Sequence, residues 1–187
     1  LIANKDREIE RLNGVYGRLL KDSGAQLVTG RARLLDPHTV AVGEQRWTAE
    51  RILIATGGWP RVPEFPGREH VITSNEVFHL KELPRRAVGV GGGYIAVEFA
   101  GIFHGLGVHT TQLYRGDLFL RGFDTECRTF LAAEMRRRGV DLRFNTDVAS
   151  ITRNANGLRI VFGDGKALDA DPTLHVYFTR DSTSAAA

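Results

Sequence analysis

The spacing of apolar positions changes several times along the chain, and each change marks an element. Ile9, Leu12, Tyr16 and Leu19-Leu20 recur at the three- and four-residue intervals of one helix face, which predicts an amphipathic helix at the start. Gly14 and Gly17 interrupt it, each costing about 1 kcal/mol relative to alanine, so packing of the apolar face has to support it. Gly24 is placed to end it. Short β-like runs follow at 26–29, 32–35, 39–42 and 45–48, divided by Gly30, Asp36-Pro37 and Gly43-Glu44, as in a meander with tight turns. Ile52-Leu53-Ile54 then reads as a buried strand entering the glycine turn Ala55-Thr56-Gly57-Gly58.

A stretch rich in Pro60, Pro63, Pro66 and Gly67 reads as a connector over 61–84, with one short helix whose expected N-cap is Ser74. Beyond Pro84 the pattern is strand (87–90), glycine turn, helix (94–106) and strand (108–114). A helix capped by Asp124 follows, carrying Phe130, Leu131 and Met135, then a strand at 140–144. Runs near 149–153, 158–162 and 167–169 predict a second meander. Alternation of strands and helices implies a parallel sheet with right-handed crossovers, so the expected fold class is α/β. In the first crossover helix Ile95, Phe99, Ile102-Phe103 and Leu106 are the expected sheet-facing stripe. Gly89 is unusual inside a buried strand, where β-branched residues are more common.

Composition narrows the picture. With 187 residues, 42% hydrophobic and 25% charged, the chain is globular in character and large enough for one domain plus part of another. No apolar run approaches the roughly 20 residues needed to span a bilayer. The first residue is Leu1 and no secretory pattern follows, so the chain reads as an internal piece of a cytoplasmic protein. A net charge of +3 raises nucleic-acid binding, but the arginines alternate with acids (Asp6-Arg7-Glu8, Glu10-Arg11) and no aromatic-basic stripe accompanies them. The densest run, Arg136-Arg137-Arg138, suits a cationic helix C-terminus. A single cysteine, Cys127, excludes an internal disulfide and a Cys-x-x-Cys zinc site, and no metal site is expected.

The chemistry concentrates at Gly91-Gly92-Gly93-Tyr94-Ile95-Ala96, a G-x-G-x-x-A pattern that follows a strand and opens a helix within a βαβ unit. Gly91 allows the sharp turn, Gly93 leaves room for a pyrophosphate, and Ala96 keeps helix and strand close. The unpaired N–H groups and the helix dipole then favour an anion. A tight strand–helix turn without a ligand is the alternative. The end of the next strand selects the dinucleotide. An NAD site presents an acid there, whereas this chain has Tyr114-Arg115-Gly116-Asp117 and then Arg121. Two guanidinium forks suit a ribose 2′-phosphate, the alternative being two solvated surface arginines. Asp117, the rival acid, reads as a loop residue beyond the strand. Tyr94 and Glu98 share a helix face where a nicotinamide could lie, or are an exposed aromatic beside a solvated carboxylate.

The stretch from Val90 through Gly91-Gly92-Gly93-Tyr94-Ile95-Ala96-Val97-Glu98 to Phe103 resembles the glutathione reductase family of FAD-dependent NADPH–disulfide reductases. So do Tyr114-Arg115-Gly116-Asp117, Leu120-Arg121-Gly122-Phe123-Asp124, Ile54-Ala55-Thr56-Gly57-Gly58-Trp59-Pro60 and Ile72-Thr73-Ser74-Asn75-Glu76. The similarity runs from about residue 1 to about residue 171. It implies a partial FAD-binding domain at 1–60 and a Rossmann-like NADP-binding domain, parallel sheet plus meander, at 85–171. It also implies FAD and NADPH as cofactors, glutathione disulfide as substrate, and a homodimer at full length. By position, Gly91, Gly92, Gly93, Ile95, Arg115 and Arg121 correspond to NADP-contacting residues, Tyr94 and Glu98 to the nicotinamide pocket, and Ala32, Thr56 and Gly57 to elements near FAD.

The resemblance also fails in places. The family's first FAD fingerprint, its redox cysteine pair and its catalytic histidine have no counterpart in this chain, so NADPH binding without turnover is expected of it. Cys127 matches no catalytic position and reads as a packing residue, and His70, His79, His104 and His109 read as surface or connector residues. Where the family has an apolar strand after residue 171, this chain has Pro172-Thr173-Leu174-His175-Val176; a proline in a central strand argues against one there, leaving 172–187 as an atypical tail. Trypanothione reductase, which shares the Leu-Arg-Gly-Phe-Asp signal, and a non-catalytic nucleotide-binding module remain as alternatives.

Overall fold

The computed structural model describes residues 1–155, 157–170 and 174–178. The chain divides into two compact units, Leu1–Gly57 and Gly58–Ala187.

In the first unit α1 (Ile2–Asp22) ends at Ser23, and Gly24 turns the chain out at φ +76°. Strands β1 (Ala32–Asp36), β2 (Thr39–Val42) and β3 (Gln45–Thr48) form the expected antiparallel meander. The first turn is tied by the His38 N–H donating to Asp36 Oδ1 at 2.8 Å, a bond that lowers the carboxyl pKa. Two expected strands do not form. Residues 26–29 are irregular, and so are 51–57, where Leu53 is 88% exposed. An extended segment becomes a strand only if neighbours take its N–H and C=O groups, and β1, β2 and β3 pair among themselves. The apolar face of α1 is likewise uncovered: Ile9, Leu12, Tyr16, Leu19 and Leu20 are all exposed.

The second unit holds a five-stranded parallel sheet in the order β4-β11-β5-β6-β7 and the antiparallel meander β10-β9-β8. Its strands are β4 (Val71–Thr73), β5 (Arg86–Val90), β6 (His109–Leu113), β7 (Asp141–Arg143), β8 (Val148–Asn154), β9 (Gly157–Phe162), β10 (Ala167–Ala170) and β11 (Leu174–Phe178). Its helices are α2 (Ser74–Val77), α3 (Tyr94–Gly105) and α4 (Thr125–Arg137). Alternation along β5 divides the core. Val88 and Val90 join Ile151, Leu158, Ile160 and Phe162 of the meander, whereas Ala87 meets Phe99 and Phe103 of α3. A third cluster packs Ala132 and Met135 of α4 against Ala100, Phe119 and Leu142.

The structure departs from the sequence pattern at several points. The tail supplies a central strand: β11 lies between β4 and β5, with Val176 opposite both Val71 and Val88. Pro172 lies outside the described residues, and the strand itself runs from Leu174 to Phe178. The connector stretch provides β4, and its Val62 and Phe65 pack on the core. The cap of α2 is Thr73 rather than Ser74, because only Thr73 has a glutamate three residues on. Thr73 Oγ1 accepts the Asn75 N–H, and Glu76 accepts the Thr73 N–H at 2.7 Å. The buried arc of α3 is Ala96, Phe99, Ala100 and Phe103, while Ile102 and Leu106 are exposed. At 100° per residue Ile102 falls about 110° from the centre of that arc, and the alanines let the helix approach the sheet. Cys127 is exposed and does not pack. It stands two positions into α4, where its backbone N–H bonds the Asp124 cap at 3.0 Å.

The C-terminus of α4 is cationic as expected. Arg137 and Arg138 both reach Glu134 at 2.7 Å and lower its carboxyl pKa to about 2, and Arg136 stacks over Phe144 at 4.9 Å.

Amide protons of residues 1–57 should exchange faster than those of 86–144, since only Ala41 of the first unit is buried; equal protection by hydrogen-exchange mass spectrometry would contradict this. Asp124→Ala should lower the melting temperature at neutral pH. The Cys127 N–H lowers the Asp124 pKa, so the cap contributes fully above the unfolded carboxyl value of about 4 and is lost as pH falls through the lower folded value. The melting curves of variant and wild type should therefore converge in acid.

Candidate functional site

Strands β5 and β6 end level with each other, Val90 opposite Leu113, and the chain leaves both strands toward one cleft. Gly91 turns at φ +150°, a conformation that favours glycine, with its N–H donating to Leu113 O at 2.9 Å. Gly93 is the N-cap of α3, and no side chain caps it, so the first N–H groups of the helix have no partner within it. A Cβ on Gly93 would meet nothing within 4 Å, in keeping with the open approach expected there. Gly92 is constrained differently: a Cβ would come within 2.4 Å of the Tyr114 ring. The same ring would lie 2.7 Å from a Cβ on Gly116. Tyr114 thus occupies the space left by two glycines that are 24 residues apart, a requirement that motif spacing does not reveal.

The cleft has a volume of about 770 Å³. Gly91, Gly92, Gly93 and Tyr94 line one side, and Arg115 and Arg121 line it from the β6–α4 loop. The structure therefore brings the glycine turn and both arginines together. Asp117 is in the loop, as expected, and also lines the cleft. Tyr94 is 52% exposed. Glu98, one turn further, is exposed and lies outside the cleft lining. The Ile95 side chain packs against the cluster of Ala87, Phe99 and Phe103, so its contribution to a ligand could come only from its backbone. In the first unit Ala32 begins β1, Thr56 and Gly57 lie in irregular chain, and all three are exposed.

Arg128 is a supporting residue that the motifs did not disclose. Its Nε and Nη2 donate to the carbonyls of Phe119 and Leu118, each at 2.7 Å, fastening the arginine loop to α4. Phe119 is fully buried and meets Phe144 edge-on at 5.5 Å. Leu120 adopts φ +56° and donates its N–H to Gly92 O at 2.6 Å, so the loop also bonds the glycine turn directly. Among the described residues no cluster of His, Cys, Asp or Glu could hold a metal, and no helix is long and apolar enough to cross a membrane.

A parallel sheet, a glycine turn entering a helix and a cleft at the strand ends define a Rossmann-like dinucleotide-binding unit. The chain belongs to the pyridine nucleotide-disulphide oxidoreductase family, whose model matches residues 2–178. It is 45% identical over 174 residues to a glutathione reductase of Burkholderia cepacia, covering 93% of this chain and 39% of that protein. It is 42% identical to a trypanothione reductase of Leishmania donovani, covering 93% and 38% respectively. Among solved structures it is similar to the HOCl-induced flavoprotein disulfide reductase RclA of Escherichia coli, with a TM-score of 0.86 and 29% identity over 99% of this chain and 43% of that one. The chain spans about two fifths of the length of these relatives.

If the Tyr114 ring excludes a side chain at residue 92, Gly92→Ala should destabilise the second unit by about 1–3 kcal/mol, the usual cost of overpacking. Adding Tyr114→Leu should recover part of that loss. Strictly additive losses in a thermal double-mutant cycle would show that the two positions do not interact.

Proposed function

We propose that the second unit is the NADPH-docking part of an FAD-dependent NADPH–disulfide oxidoreductase of glutathione reductase type. The observation that carries this reading is the placement of Arg115 and Arg121 on the same cleft as the glycine turn, with an arginine at the end of β6 where an NAD site has its ribose-binding acid. The residues fit the cofactor. Gly93 leaves open space before an uncapped helix N-terminus, which suits a diphosphate, and two guanidinium forks suit a 2′-phosphate.

In this reading Arg115 and Arg121 hold the 2′-phosphate, Gly91, Gly92, Gly93 and the backbone of Ile95 cradle the diphosphate, and Tyr94 and Glu98 border the nicotinamide. When bound, NADPH supplies a hydride for a flavin. Ala32, Thr56 and Gly57 belong to the part of the first unit that contacts FAD. Glutathione disulfide is the substrate we assign to the whole protein, on the strength of relatives named glutathione reductase at 45% and 46% identity. Trypanothione is the second reading, supported by relatives of that name at 42% and 40%. A cytoplasmic homodimer is the form proposed for the full-length enzyme. Disulfide reduction of this kind uses two neighbouring thiols, whereas this chain has one cysteine, so by itself it should bind NADPH without turning over a disulfide.

NADPH should bind the chain more tightly than NADH in a calorimetric titration. Charge-assisted hydrogen bonds contribute roughly 1.5–3 kcal/mol, so Arg115→Leu or Arg121→Leu should weaken NADPH about 10- to 100-fold and leave NADH nearly unchanged. Equal affinity of the wild-type chain for 2′-AMP and 5′-AMP would remove the basis for this assignment.

A further inference from the structure

A parallel sheet covered on both faces is normally apolar throughout, yet β6 places Gln112 in this one with no exposed surface. Its Nε2 donates to Gly91 O at 3.1 Å, while its Oε1 has no hydrogen-bond partner among the described residues. A leucine or methionine at this position would avoid the unpaired acceptor, so the use of the amide lies in what Nε2 holds. Building on the NADPH reading above, we propose that Gln112 is a positioning residue for the dinucleotide: it latches the glycine turn from behind so that the Gly92 N–H is presented to the diphosphate.

The geometry follows from the peptide bond. In a trans peptide the C=O of one residue and the N–H of the next point in opposite directions, and the described chain has no cis bonds. With Gly91 O held toward the buried Gln112, the Gly92 N–H points away from the sheet interior. The Leu120 N–H does the same for the next unit by holding Gly92 O, which turns the Gly93 N–H the other way from Leu120. Both constraints matter because three successive glycines lack side chains to resist a flip of the peptide plane. A flipped Gly91–Gly92 unit would present a carbonyl oxygen, with its partial negative charge, where an anion is to bind. Gln112 does not line the cleft, so it acts through the backbone and has no contact of its own with the ligand.

Two ligands separate this role from general support of the sheet. NADPH carries a diphosphate, whereas 2′-AMP reports on the arginine end alone. In the 187-residue chain, Gln112→Met should raise the Kd for NADPH about five- to tenfold, the effect of one lost hydrogen bond, and leave the Kd for 2′-AMP unchanged. Thr110→Val, which removes another buried polar group of the same strand, should change neither. An unaltered NADPH affinity in Gln112→Met, an equal loss of both ligands, or the same loss in Thr110→Val would overturn the latch. Failure of the wild-type chain to bind either ligand would instead overturn the NADPH reading, and the latch with it.

Discussion

Strands β5 and β6 run parallel in a register that sets Val90 beside Leu113, and the geometry of the cleft depends on that pairing. Because the strands stop at the same level, the glycine turn that follows one and the arginine loop that follows the other emerge side by side. Three contacts then join them: the Gly91 N–H to Leu113 O, the Leu120 N–H to Gly92 O, and the Tyr114 ring against Gly92 and Gly116. A shift of one residue in this register would carry Arg115 away from the turn and reverse the faces of β6.

Support for this arrangement is layered. Behind the turn, Gln112 bonds the Gly91 carbonyl from within the sheet. Behind the loop, Arg128 bonds two successive carbonyls from α4, and Phe119 fills the space beneath. The helix carrying Arg128 is itself started by Asp124 and ended by a run of arginines, two of which pair with Glu134. The arginines that line the cleft thus stand on a frame fastened by Arg128, the Asp124 cap and the Glu134 pairs.

The first unit shows what the same kinds of signal produce without a surrounding sheet. Its meander forms because antiparallel neighbours are joined by tight turns and satisfy one another's hydrogen bonds locally. Its helix forms but keeps an exposed apolar stripe, and Ile52-Leu53-Ile54, despite strand-like composition, stays irregular. Composition determines what a segment can become, but a buried parallel strand exists only through partners distant in sequence.

That contrast divides what the sequence determined from what tertiary structure decided. Periodicity, caps and turn residues are local, so the helices at 2–22, 94–105 and 125–137, the two meanders and the order of the βαβ units were all legible. So were the glycine turn and the arginine pair, because each motif follows a strand end that can be read from its own neighbourhood. Long-range contacts decided the rest. The order β4-β11-β5 placed a strand from the far end of the chain in the middle of the sheet, closely following a proline that had argued against it. The buried arc of α3 turned on alanines that allow close approach, and the bulk of Ile102 did not draw it inward. Gly92, Tyr114, Gln112 and Arg128 have their roles only after β5, β6 and α4 are packed together, since a steric requirement or a hydrogen bond between residues 9, 21 or 22 positions apart leaves no periodic trace in the sequence.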